Sequence, residues 1–340
     1  MSTPFESFRF LRVPYSAQET ANRFAEYCRR NQVITRGLCR IGYIQRCPPV
    51  PQLSHESVVA AEAAGATAGS TPLPMLRGLI ANKSIPKDTN VVMLPLSACI
   101  GPSNAMKCTP FFDIFPREAR EAYFLQMASV QNSRVAEQSL IRHNQLLLAL
   151  YMAYLLLVRA LQPDAQGSDP VRYLDFLPRS EGNFAQLEAH MAVSLETAEA
   201  CRVGQTCLAA HFRIPQAEIR PLLVWALCMI YSRMVPIDHK GLLEEAFRDT
   251  PVASFFASQS RGEDLMPEPI SFLCPIVDMC NHSEGENVAV MVPDNPPSRL
   301  QRVVCLRTLR DVAEGEELVM TYSRSPAELR TIWGMSQVLL

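Results

Sequence analysis

The chain is short of lysine: of its 32 basic residues only four, Lys83, Lys87, Lys107 and Lys240, are not arginine. It is also short of net charge. A formal −2 at pH 7 leaves no overall basic footprint for a nucleic-acid partner. The longest apolar run, Leu146 to Val158, has thirteen residues. A membrane span needs about twenty, so this stretch is expected as a buried core helix and no membrane partner is expected. Met1 to Arg12 lacks the apolar centre of a secretory signal. No internal repeat is present, which excludes a solenoid.

Paired cysteine is lacking as well. The eleven cysteines are odd in number and scattered from Cys28 to Cys305, which argues for free thiols in a reducing compartment, cytoplasm or nucleus. A mitochondrial destination is the lesser alternative, motivated by eight arginines against three glutamates up to Arg46. Cys274, Cys280 and His282 lie close in sequence, but their spacing is irregular and no fourth ligand is evident, so buried cysteine is preferred over zinc.

What is present is a soluble, globular composition, 48% hydrophobic and 19% charged. Ser16-Ala-Gln-Glu19 is a capping box and predicts a helix over residues 17–31, with Phe24, Tyr27 and Cys28 on its apolar side. Val33 to Gln45 is expected as a short strand pair around Gly37 and Gly42. Residues 47–74, rich in Pro, Ala, Ser, Gly and Thr, read as a flexible insertion without core material. Leu79 to Ala81 and Val91 to Leu94, separated by Pro86-Lys-Asp-Thr89, read as a hairpin entered at Gly78. Glu118 to Met127, Ser139 to Leu161, Phe184 to Cys201 and Pro215 to Met234 carry helical spacing, with Asp169 to Pro178 punctuating the set. Strands return at Phe272–Val277, Val288–Val292, Arg302–Leu309 and Glu317–Tyr322, and Ser325-Pro-Ala-Glu328 starts a last helix.

Strands at both ends and helices between predict one α+β domain with a helical insertion. The divisions expected are 1–46, 47–74, 75–115, a helical insertion over 116–265, and 266–340.

Two stretches carry candidate chemistry. Ser271 to Ser283 delivers Asp278, Asn281 and His282 from an apolar run, and buried polar groups need partners, either one another or a polar ligand. Glu314 to Ser323 ends in Tyr322. Arg233 closes a strongly apolar helix; a guanidinium there either snorkels to water or grips a carboxylate bidentately.

In order, Gly78-Leu-Ile-Ala81, Tyr173-Leu-Asp-Phe-Leu-Pro178, Trp225-Ala226, Ser232-Arg233, Asp278-Met-Cys-Asn-His-Ser283, Glu314-Gly-Glu-Glu317, Tyr322 and Trp333-Gly-Met335 resemble the SET-domain protein methyltransferases. The closer resemblance is to the branch holding the Rubisco large-subunit lysine methyltransferase and the actin histidine methyltransferase. It implies a SET fold of small β-sheets around a knot-like crossing of the Asn-His segment and the last strand, interrupted by the helical SET insertion.

The resemblance also implies S-adenosylmethionine (SAM) as cofactor, no metal, and a protein substrate whose side chain enters a narrow channel. Tyr322 would be the catalytic tyrosine at the inner end of that channel, near Trp333. The cofactor would be held by Met75, Leu76, Arg77 and Gly78, by Arg233 on its carboxylate, by Asp278, Asn281 and His282, and by Tyr322 and Met335.

The activity implied is methyl transfer to lysine of a non-histone protein by a monomer. The alternatives are histidine as acceptor, or a SET-like module that binds without turnover. The second is motivated by departures from the family pattern: Leu76 where relatives carry glycine, Ser323 after Tyr322, Trp333 and Met335 at the end, and a helical substrate-binding lobe expected to be missing after Leu340. A helical scaffold with no cofactor site would leave the Asn281-His282 and Tyr322 stretches without a reason.

Overall fold

The protein's computed structural model describes residues 8–45, 75–117, 120, 143–162, 169–179, 184–197, 199–251, 253, 270–293 and 302–323. The 47–74 insertion, all of the Glu118–Met127 helix but Arg120, and the helix expected after Ser325 lie outside the described residues.

The first helix spans Ala17–Arg30, and its capping box is complete: the Ser16 hydroxyl takes the Glu19 amide while Glu19 reaches back to the Ser16 amide. Phe24 and Tyr27 are buried, and Phe24 stacks on Phe176 with centroids 4.0 Å apart. Phe176 ends a helix over Asp169–Phe176, a segment whose prolines suggested punctuation. Its Pro170 sits in the first turn, where an absent N–H costs no hydrogen bond.

Strand β1 (Cys39–Gln45) pairs antiparallel with β2 (Met75–Ala81), Gly42 opposite Gly78. The expected strand pair within Val33–Gln45 does not form; Ile34 instead bridges to Met93. Nor do Leu79–Ala81 and Val91–Leu94 form a hairpin. β3 (Asn90–Pro95) belongs to a separate three-stranded sheet, β3-β8-β7, with β7 at Val288–Met291 and β8 at Val303–Thr308. Both strands were legible from their patterns. Their partners were chosen by burial, because Val91, Val92 and Leu94 are fully buried once β8 lies beside them.

The other large sheet has the order β1-β2-β9-β6, with β9 at Glu317–Met320 and β6 at Asn281–His282. Gly315, at φ +81°, turns the chain into β9. A third sheet pairs Met234–Ile237 (β4) with Ile270–Leu273 (β5), of which β4 carried no recognised sequence signal.

Helices fill the interval between β3 and β5. His143–Leu161 is apolar on every side and its residues Leu146 to Leu157 are all buried. The window Asn144–Leu161 is long and apolar enough to cross a membrane, yet 72% of it is buried inside the protein. It packs on the helix Gln216–Arg233. The expected Phe184–Cys201 helix is two helices, Phe184–Thr197 and Glu199–Phe212, and Lys240–Phe247 is a further one. The ten cysteines among the described residues are free thiols.

Candidate active site

Three segments distant in sequence meet at β9. β6 runs parallel to it, Asn281 opposite Val319 and His282 opposite Met320. β2 runs antiparallel on its other side, Leu79 opposite Leu318 and Ile80 opposite Glu317. Asn287, almost fully buried, locks the crossing: its Oδ1 takes the Val319 amide and its Nδ2 donates to the Glu317 carbonyl at 2.8 Å. Asn287 held no recognised place in the sequence reading. Its only local signal was a lone amide before an apolar strand.

Asn281 is half-buried, and its Nδ2 donates twice, to the Arg77 carbonyl at 3.1 Å and to Glu317 Oε1 at 2.8 Å. Gly78 leaves the room for this. A Cβ there would lie 2.7 Å from Asn281 Nδ2 and 2.7 Å from Ile44 Cδ1. The glycine therefore serves a side-chain amide lying flat on β2. Met75 and Leu76 stand opposite Gln45 and Ile44 on the same ladder.

His282 is buried, and its Nδ1 accepts the Tyr322 backbone N–H at 3.1 Å. The ring proton of the neutral imidazole is thereby placed on Nε2. The Tyr322 hydroxyl turns back and donates to the Cys280 carbonyl, and its ring lies 5.4 Å from that of His282.

Asp278 sits in a 3-10 turn, Val277–Met279, entered through Ile276 at φ +73°. Positive φ is unfavourable for a β-branched residue, and such strain persists only where the surroundings impose it. Here the strained residue lets the Asp278 amide reach the Cys274 carbonyl at 2.9 Å. The carboxylate accepts from the Tyr173 hydroxyl, and Oδ1 has no hydrogen-bond partner among the described residues. Burial pushes Asp278 up to about 6, against the opposing pull of Arg233, the Tyr173 hydrogen bond and Arg77.

Arg233 Nη1 donates to the Asp278 carbonyl at 3.1 Å and lies 3.4 Å from Met279 Sδ. Arg77 donates to the Phe176 carbonyl at 3.1 Å, with its guanidinium 4.8 Å from that ring's centre. Arg233 and Arg77 thus both act electrostatically on the one buried carboxylate.

Arg77, Gly78, Arg233, Asp278, Asn281, His282 and Tyr322 are linked by these contacts into one cluster. Trp333 and Met335 lie outside the described residues. Two residues bonded to this cluster carried no assigned role in the sequence reading, Tyr173 on Asp278 and Glu317 on Asn281, although both lie inside motifs that were recognised. Among the described residues no group of three or more His, Cys, Asp or Glu could hold a metal ion; Cys274 Sγ instead lies 3.7 Å from Cys99 Sγ.

This fold, with its crossing of an Asn-His strand and a terminal Tyr strand, is that of a SET domain, and the chain belongs to the SET-domain family: the family model matches residues 76–323. No protein of curated function matches it by sequence. Among solved structures it is similar to the SET domain of LSMT bound to lysine and AdoHcy. Identity there is 14% and the TM-score 0.50, over 94% of this chain and 58% of that one. The same domain bound to MeLysine and AdoHcy is similar at 15% identity and TM-score 0.48, over 93% of this chain and 56% of that one. The chain therefore spans less than two thirds of the length of either.

Proposed function

We propose that this protein is a SAM-dependent protein N-methyltransferase acting on a lysine side chain of a non-histone protein. The observation that carries the reading is the single cluster in which a glycine cradle, an Asn-His strand beside β9 and the tyrosine just past β9 meet, with a helix-end arginine bonded to the turn before the Asn-His strand. Membership of the SET-domain family and the likeness to the LSMT fold support it.

The residues present fit the cofactor. Arg233, facing the turn at Asp278, would take its carboxylate, and Asn281 would meet the same amino-acid end. When bound, SAM supplies a methyl group made electrophilic by its sulfonium. This chain's part is alignment, because in-line displacement needs positioning more than bond chemistry. A lysine ammonium has no lone pair, so the acceptor must lose its proton, and desolvation by apolar walls favours that neutral amine. The Tyr322 hydroxyl donates its hydrogen bond to the Cys280 carbonyl. Its oxygen therefore keeps lone pairs for weak C–H···O contacts that orient the methyl group.

The test is incubation of the full chain with methyl-labelled SAM and a cell extract between pH 7 and 9, followed by identification of the modified residue. A labelled protein carrying methyl-lysine is expected. Methyl-histidine would move the acceptor to the alternative; SAM bound with no labelled protein would favour a binding module and overturn the assignment.

A further inference from the structure

We infer that Glu317 is a positioning residue that, together with the Arg77 carbonyl, holds the Asn281 amide with its oxygen toward the ligand, and so makes the site selective for a ligand carrying a donor, an α-ammonium, at that point. This deepens the SAM reading and rests on it.

The Arg77 carbonyl oxygen only accepts, so the Asn281 atom 3.1 Å from it must be the NH2 group. Its second proton goes to Glu317 Oε1 at 2.8 Å. Both donors of the amide are consumed inside the protein, on acceptors contributed by β2 and β9.

The amide oxygen is what remains, and among the described residues no donor reaches it. Gly78 is the second observation. A Cβ would fall 2.7 Å from that same NH2 and 3.2 Å from Glu317 Oε1, so the fold keeps a space cut to this pair. Without the Glu317 oxygen the Arg77 carbonyl still opposes a flipped amide, but the held half loses one of its two anchors and the amide oxygen is aimed less narrowly.

A carbonyl oxygen presented alone accepts from an ammonium and repels a carboxylate. Arg233, one turn away at the Asp278 carbonyl, offers the opposite polarity. The two together would read the ends of an amino-acid zwitterion separately.

The experiment uses the full chain, S-adenosylhomocysteine and its analogue lacking the α-amino group, with affinities from calorimetry. Glu317→Leu is expected to weaken the amino-bearing probe about tenfold or more while changing the desamino probe less than about threefold. Glu317→Gln, which keeps an acceptor, is expected to restore the wild-type preference. Asn281→Ala gives an independent arm should Glu317→Leu not fold: its loss should also be confined to the amino-bearing probe.

Equal weakening of both probes in these variants, or none in either, would overturn the inference while leaving the SAM reading intact. A wild-type chain that binds neither probe would overturn both.

Discussion

The Tyr173 hydroxyl donates its hydrogen bond to Asp278, a partner 105 residues further along the chain. Tyr173 belongs to the helix Asp169–Phe176 and is fully buried, and Asp278 belongs to the turn that launches Asn281 and His282. One hydrogen bond thus ties the helical part of the molecule to the Asn-His strand. Tyr173→Phe removes the bond and leaves a buried carboxylate oxygen unsatisfied. It is expected to cost about 1–3 kcal/mol, read as a lower urea midpoint at unchanged slope. An unchanged midpoint would show that the contact stabilises nothing.

The same carboxylate sets a pH dependence. Its pKa is raised from 3.8 to about 6 in the folded protein, so between those values the folded state holds a proton that the unfolded state has lost. The contribution is fully present below about pH 4 and is lost as pH rises through about 6. The groups facing it are Tyr173, Arg233 and Arg77, with the Cys28, Cys274 and Cys280 thiols nearby. Asp278→Asn cannot titrate. Wild type should therefore lose ~3 kcal/mol relative to this variant between pH 4 and 7, and the difference should be flat above that. Parallel stability curves across the range would refute the assignment.

A second buried carboxylate anchors the start of the chain. Arg159 pairs with Asp175 and also donates to the Phe10 carbonyl at 2.8 Å, while Arg179 donates to the Leu11 carbonyl at 2.9 Å and lies over the Trp225 ring. Asp175→Ala would strand two buried guanidinium groups with no carboxylate between them. The expected cost is about 3–5 kcal/mol, with earlier proteolysis near residues 8–12. Loss of less than about 1 kcal/mol would mean the backbone carbonyls alone satisfy the two arginines.

The roles proposed for Tyr322 and Arg233 separate kinetically. Tyr322→Phe removes the hydroxyl on Cys280 and should cut the methylation rate while SAM affinity stays within about threefold. Arg233→Ala should act on affinity, weakening SAM by ~2–5 kcal/mol. Calorimetry beside single-turnover rates distinguishes them; the reverse pattern would exchange the two roles.

Much of the site was legible because its residues are local exceptions to local patterns. Asp278, Asn281 and His282 interrupt an apolar run and Arg233 closes an apolar helix, as those patterns place them. Tyr322, expected to end a strand, instead lies two residues past the end of β9 at Met320. Tyr173 and Glu317 were harder. A buried tyrosine on a helix and a glutamate opening a strand look ordinary until the residue opposite is known. The hairpin expected around Pro86–Thr89 shows the same limit. Both strands exist, yet β2 pairs with β1 and β9, and β3 pairs with β8.

The sequence by itself determined the pieces: the capped first helix, the all-apolar core helix, the strand-forming runs and the order of motifs that marks a SET domain. These follow from side-chain period, capping chemistry and turn residues, which act over a few positions. Only the tertiary structure decided which strands pair, which way the Asn281 amide faces, and that a tyrosine far upstream satisfies Asp278. Those choices depend on burying apolar surface and pairing polar atoms between residues 36, 105 or 204 positions apart, and no local pattern encodes the identity of a distant partner.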